Sequence, residues 1–287
     1  MTPNATRAIA LAAAAALALT GAGCGSDDDT DNPSGGGAGA AEPSRLAIEL
    51  SGPPKNPTFS VPDSVKGGLV EIEFTNEVHG EHSAQLLRAE DGHTAAEALE
   101  AGNAWGEKGK GLPDWALTAG GAGDVKQGAS TTVTQELAPG SYVVADLNSG
   151  ASAEFEVTGE AGGGEPDAEG GTITATEYAF ESEGLSAGRH RILFDNAGEE
   201  PHFVAAVGLA KGATAEDARR FFETEKGRPP FDERRSFSTA VVEGGVKQAV
   251  ELDLEAGKYA LICFVPDRAG GPPHMVKGMI SEATVSE

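Results

Sequence analysis

VEIEFTNEVHGEHSAQLLRAEDGHTAAEA, running from Val70 to Ala98, lies without a gap over HRILFDNAGEEPHFVAAVGLAKGATAEDA, running from His190 to Ala218. At this offset of 120, Phe74, Asn76, His82, Gly92, Thr94 and Ala98 fall on Phe194, Asn196, His202, Gly212, Thr214 and Ala218. Further along the offset slips to 117, and LAPGSYVVADL from Leu137 lies over LEAGKYALICF from Leu254, which sets Leu137, Gly140 and Tyr142 on Leu254, Gly257 and Tyr259. Self-similarity at a fixed spacing marks one structural unit used twice. Between the copies, GEAGGGEPDAEGG (residues 159–171) has the composition of a flexible acidic linker.

Each copy reads mainly as strands. Val70, Ile72 and Phe74 alternate with Glu71 and Glu73, and Ile192 and Phe194 repeat that parity. YALICFV is a further strand, with Tyr259, Leu261 and Cys263 on one face and Ala260, Ile262 and Phe264 on the other. One helix per copy is predicted, because Thr94 with Glu97 and Thr214 with Asp217 stand at N-cap and N3 spacing before alanine-rich stretches. Short strands, glycine-rich turns and a tyrosine before the last core strand predict an all-β protein of two Greek-key β-sandwiches, each with a short inserted helix. The predicted domains are 45–158 and 172–287.

The N-terminus predicts export. Residues 1–23 hold one cation, Arg7, then an uncharged run from Ala8 to Leu19, the pattern of a signal peptide and too short for a membrane span. The ending LTGAGC resembles a bacterial lipobox, which implies that Cys24 is lipidated and anchors the chain at the outer face of the cell membrane. Residues 24–44 are polar and glycine-rich with no apolar face, and are expected to be a disordered tether. The 287 residues carry 45 acids against 21 bases, a net charge of −24. That balance excludes nucleic acid as a partner and suits the solubility of an exported protein.

With Cys24 committed to lipid, Cys263 is the one remaining cysteine in a protein sent to an oxidising compartment, with no disulfide partner. Its reading as a small buried apolar residue competes with a reading as a ligand. The neighbourhood favours the ligand: CFVPDRAGGPPHMVKGMI places ten residues between Cys263 and His274 and four between His274 and Met279, with His202 far upstream. A thiolate and two imidazoles form a trigonal plane that suits both oxidation states of copper, and a weak thioether tunes its potential.

This ending resembles the type 1 copper loop of cupredoxins, and most of all that of the copper nitrite reductases. The resemblance implies one type 1 copper held by His202, Cys263, His274 and Met279, in a cupredoxin-like second domain. Two departures stand out: the loop from Cys263 to His274 is longer than in most of the family, and Phe203 follows the first histidine where many relatives carry asparagine. Met275 would face away from His274 on an extended segment, so Met279 is the expected axial ligand. In the first copy Asp146 stands at the position of Cys263 and no histidine or methionine follows, so that domain is read as a degenerate copy. His79, His82 and His93 there are expected to be solvated surface residues rather than a second metal site.

The expected function is electron transfer with a redox partner protein. A copper-binding or copper-delivery protein and a metal-free binding module are the alternatives. An enzyme of the reductase or multicopper oxidase kind is not expected, since Ile262 and Phe264 rather than histidine flank Cys263, and the six histidines of the chain are too few for further copper centres.

Overall fold

The computed structural model describes residues 42–160, 162 and 164–287. The expected signal peptide, the expected lipidation site Cys24 and nearly all of the expected tether lie outside the described residues. The first half contains β1 (Ser44–Ser51), β2 (Thr58–Ser60), β3 (Ser64–Lys66), β4 (Gly68–Asn76), β5 (Glu81–Ala89), α1 (Ala95–Lys108), β6 (Ala116–Lys126), β7 (Ala129–Leu137), β8 (Gly140–Ala145) and β9 (Ser152–Thr158). The second contains β10 (Thr172–Thr176), β11 (Ala179–Glu183), β12 (Gly188–Asn196), β13 (Ala205–Leu209), α2 (Ala215–Thr224), β14 (Phe231–Ser238), β15 (Lys247–Leu254), β16 (Gly257–Ile262), a 3-10 turn (His274–Lys277) and β17 (Ile280–Val285).

Alternation builds the sandwiches. In β4 the odd face is polar and partly exposed, while Val70, Ile72 and Phe74 are wholly buried; Ile192 and Phe194 of β12 repeat this. β4 and β1 thereby close the core of the first half against β5, β8 and β9, and β12 and β10 close that of the second against β13, β16 and β17. Both helices start as their sequences require. The Thr94 and Thr214 side chains accept from the amides of Glu97 and Asp217, whose carboxylates in turn accept the cap amides. Tyr142 donates its hydroxyl to the Ala138 carbonyl and Tyr259 to that of Glu255, each at 2.8 Å, so both tyrosines pin the corner that enters the strand beside the site.

The sandwiches are not strung as separate beads. β7 pairs antiparallel with β15, which fuses one sheet of each half into a single eight-stranded sheet of order β11-β10-β12-β15-β7-β4-β1-β2. Val133 faces Val250 in that seam. These two residues are equivalents at the 117 offset, so the halves meet about a local twofold. Buried glutamines complete the join: Gln85 donates to the carbonyls of Gly120 and Val241 and accepts the Val241 amide, while Gln248 reaches Gln135 and the Gly121 carbonyl.

Within 159–171, residues 167–170 are docked on β12. The Glu169 and Gly170 amides donate to the Arg191 carbonyl at 3.1 and 2.9 Å, and the Arg191 guanidinium meets Asp167 and Glu169, each at 3.0 Å. The acids that suggested a solvated linker are the groups that dock it. No helix among the described residues is long and apolar enough to cross a membrane.

Candidate metal centre

Cys263 is the first residue past β16, and its position is set by parity: Tyr259, Leu261 and Cys263 enter the sandwich core while Ala260 and Ile262 pack towards α2. The chain leaves for ten residues and returns as the 3-10 turn, where three backbone bonds tie a knot. The His274 amide donates to the Val265 carbonyl at 2.8 Å, the Met275 amide to the Cys263 carbonyl at 2.8 Å, and the Met279 amide to the His274 carbonyl at 3.0 Å. Gly278, at a φ of 103° that disfavours any residue with a Cβ, ends the turn and sends Met279 into the core beside Cys263. The segment is a turn rather than the extended stretch expected, but Met275 does point away from the site, packing against the cluster of α2 and the outer face of β16.

His202 arrives from the other side. It forms an isolated bridge to Val242, with reciprocal amide–carbonyl bonds of 3.0 and 2.9 Å, and the Asn196 side-chain amide donates to the carbonyls of Glu200, Val242 and Glu243 around it. Asn196, six residues before His202, braces this segment through its side chain. Phe203 uses its backbone instead: its amide, with that of Val265, donates to the Cys263 sulfur.

Three donor atoms converge. Nδ1 of His202 lies 3.0 Å from Nδ1 of His274, and the Cys263 Sγ lies 3.8 and 3.5 Å from them. Ligand bonds of about 2.0 Å to nitrogen and about 2.3 Å to sulfur, spread trigonally, give N···N of about 3.5 Å and N···S of about 3.7 Å. The triangle fits one metal ion within its plane, and among the described residues it is the one grouping of this kind. All three residues, and Met279, are inaccessible to solvent.

The electrostatics suit a cation. Burial pushes the Cys263 thiol up to about 12, against two amide bonds that favour the thiolate. Burial, then the His274 charge, lowers His202 to about 4, and burial lowers His274 despite Asp267. The imidazoles are therefore neutral with lone pairs available, and a metal would displace the thiol proton. His274 Nε2 donates to Asp267 Oδ1 at 3.0 Å, which fixes the tautomer that leaves Nδ1 free. Burial alone would raise Asp267, but bonds from Lys277 and Tyr178 outweigh it and hold the carboxyl below its ordinary value. The Tyr178 ring stands edge-on to His274 at 5.3 Å, on a backbone with φ of 64°, a left-handed conformation that costs a residue with a Cβ about 1–2 kcal/mol. Neither Asp267 nor Tyr178 was singled out from sequence; the adjacency of an acid to the ligand loop was the available signal.

The first half holds no such grouping among the described residues. His82 is buried rather than solvated, with Nδ1 at 2.7 Å from Asp146 and Nε2 at 3.3 Å from the His79 carbonyl. His93 stacks on Trp115 at 3.8 Å and pairs with Glu97.

No protein-family model matches the sequence, and none of the curated proteins does. Among solved structures, an auracyanin B is 21% identical over 40% of this chain and 87% of its own, at a TM-score of 0.26. A reduced auracyanin from Roseiflexus castenholzii is 17% identical over 40% of this chain and 95% of its own, at 0.25. The copper nitrite reductase from Nitrosomonas europaea is 13% identical over 85% of this chain and 94% of its own, at 0.23. Scores of this size carry nothing further. It is the strand order and the buried His–Cys–His cluster at the end of a core strand that make this a protein of cupredoxin-like fold.

Proposed function

We propose that the chain is an exported electron carrier that holds one type 1 copper in its second half. His202, Cys263 and His274 would hold the ion through two imidazole nitrogens and a thiolate, and Met279, buried in the same core, would add a weak thioether that tunes its potential. The observation that carries this reading is the convergence of two Nδ1 atoms and one sulfur within 3.8 Å in a site closed to solvent. Copper bound there would supply a one-electron couple; the residues would hold its ligands in one geometry through both oxidation states, which suits transfer without large reorganisation. A closed set of protein ligands leaves no position for a small substrate, which argues against nitrite or oxygen reduction. It also argues against copper delivery, which needs exchangeable ligands.

In this reading the first half is a degenerate copy, and lipidated Cys24 confines encounters with the redox partner to the membrane surface. The test is to load the purified protein with copper and record its visible spectrum, metal content and turnover with a reductant and nitrite or oxygen. One copper per chain, a strong thiolate-to-copper band and reversible bleaching without product are expected. A colourless protein at full copper loading, or sustained turnover, would refute the reading.

A further inference from the structure

The loop between Cys263 and His274 does not stand free at the end of its sandwich; it lies along the first half. Trp105 on α1, 3% exposed, donates its indole Nε1–H to the Asp267 carbonyl at 2.7 Å. The Leu112 amide donates to the Arg268 carbonyl at 2.7 Å, and the Gly271 amide to that of Gly109 at 3.2 Å. The Arg268 guanidinium donates to the carbonyls of Pro113 and Ala116 at 2.9 and 3.2 Å and pairs with Glu243 at 2.6 Å. Backbone meets backbone with no slack: a Cβ on Gly270, itself at a φ of 87°, would stand 2.5 Å from the Gly109 carbonyl oxygen.

Asp267 thus has two handles. Its main chain is held from the first half by Trp105, and its carboxylate holds His274 Nε2. Charge-assisted bonds are short and directional, and an outer carboxylate sets both the orientation of a ligating imidazole and its basicity. We infer that the first half tunes the metal centre of the second, with Trp105 and Arg268 as positioning residues for Asp267 and Asp267 as the positioning residue for His274. The inference rests on the copper reading above. It gives the degenerate half a task that needs no ligand of its own, and it gives the added loop length a reason, since a short loop could not reach Gly109 and Leu112.

The experiment uses the whole chain with Trp105→Phe, Arg268→Met, Asp267→Asn and, as a control, Leu99→Ala, which thins the packing of α1 and removes no hydrogen bond to the loop. In metal-free protein, nitrogen-resolved NMR is expected to show a slowly exchanging Nε2 proton on His274. Trp105→Phe and Arg268→Met should each speed its exchange and shift the ratio of Cu(II) to Cu(I) affinity by threefold or more, while Leu99→Ala leaves both as in the parent. Asp267→Asn removes the negative charge that favours Cu(II), so the ratio should move towards Cu(I) by about tenfold, a rise of about 59 mV for one electron. If Trp105→Phe and Arg268→Met lose stability as Leu99→Ala does but keep the parent's imidazole proton and affinity ratio, the first half is mere packing and the inference is overturned. Should the parent protein take up no copper, the copper reading fails, and the His274 proton in the metal-free variants alone decides the relay.

Discussion

His82 and His202 occupy equivalent places in the two halves, as do Asp146 and Cys263, and in both an acid from the end of a strand meets the histidine. The cradle is the same: the Ser83 amide donates to Asp146 at 3.0 Å where the Phe203 amide donates to the Cys263 sulfur. The outcomes are opposite. Burial would raise Asp146, but bonds from Ser149, Ser83 and His82 outweigh it and hold the carboxyl below its ordinary value, so the first half keeps its acid ionised. The second half keeps its acid protonated until something displaces the proton. Asp146 fills its own acceptor sites through the tight turn to Ser149, whereas Cys263, His202 and His274 aim donor atoms at a common point and satisfy one another poorly. The two halves differ in what each leaves unsatisfied.

Converting one half into the other has the largest expected effect. Cys263→Asp should abolish the thiolate-to-copper band entirely while the fold persists, because the introduced carboxylate would meet His202 as Asp146 meets His82. The reverse change, Asp146→Cys, should give no comparable band, since no histidine or methionine follows it in the first half. An intense band from Asp146→Cys in a protein that also carries Cys263→Asp would erase the distinction.

Next in size is stability. Asp146→Ala strands a buried histidine and the amides of Ser83 and Ser149, and urea unfolding should show a loss of about 3 kcal/mol. The same pair predicts a pH signature. A carboxyl held below its unfolded value of about 3.9 contributes stability above that pH and loses it as pH falls through the lower folded value. Unfolding curves of Asp146→Asn and the parent should therefore lie apart at neutral pH and converge in acid; a gap that is constant with pH would mean that Asp146 acts through shape alone.

The smallest effect belongs to Met279. Met279→Leu nearly conserves volume, so stability should change by less than about 1.5 kcal/mol. The copper-loaded variant should keep its colour and show a higher reduction potential by voltammetry. Loss of all copper would make Met279 an essential ligand rather than a tuning one.

What the sequence disclosed was local or repeated. Parity placed Tyr259, Leu261 and Cys263 on one face, cap spacing placed both helices, and the duplication put Asp146 at the place of Cys263 and His82 at that of His202, though it left His82 on the surface where the structure buries it against Asp146. What it hid was contact between remote segments. The bond from Trp105 to Asp267 spans 162 positions and that from Gln85 to Val241 spans 156, and neither has a periodicity to betray it. The extended segment expected at Met275 failed for a related reason: the turn there is imposed by Cys263 and Val265, whose carbonyls accept from Met275 and His274.

The pairing of Val133 with Val250 has a further consequence. Because each of these strands is the other's copy, the partner that either would lose on separation resembles itself. A half produced alone would expose a row of unpaired amides and carbonyls complementary to its own twin, and is expected to self-associate edge to edge into a symmetric dimer. Such a dimer would be a present-day image of the single-copy ancestor that duplication later joined into one chain.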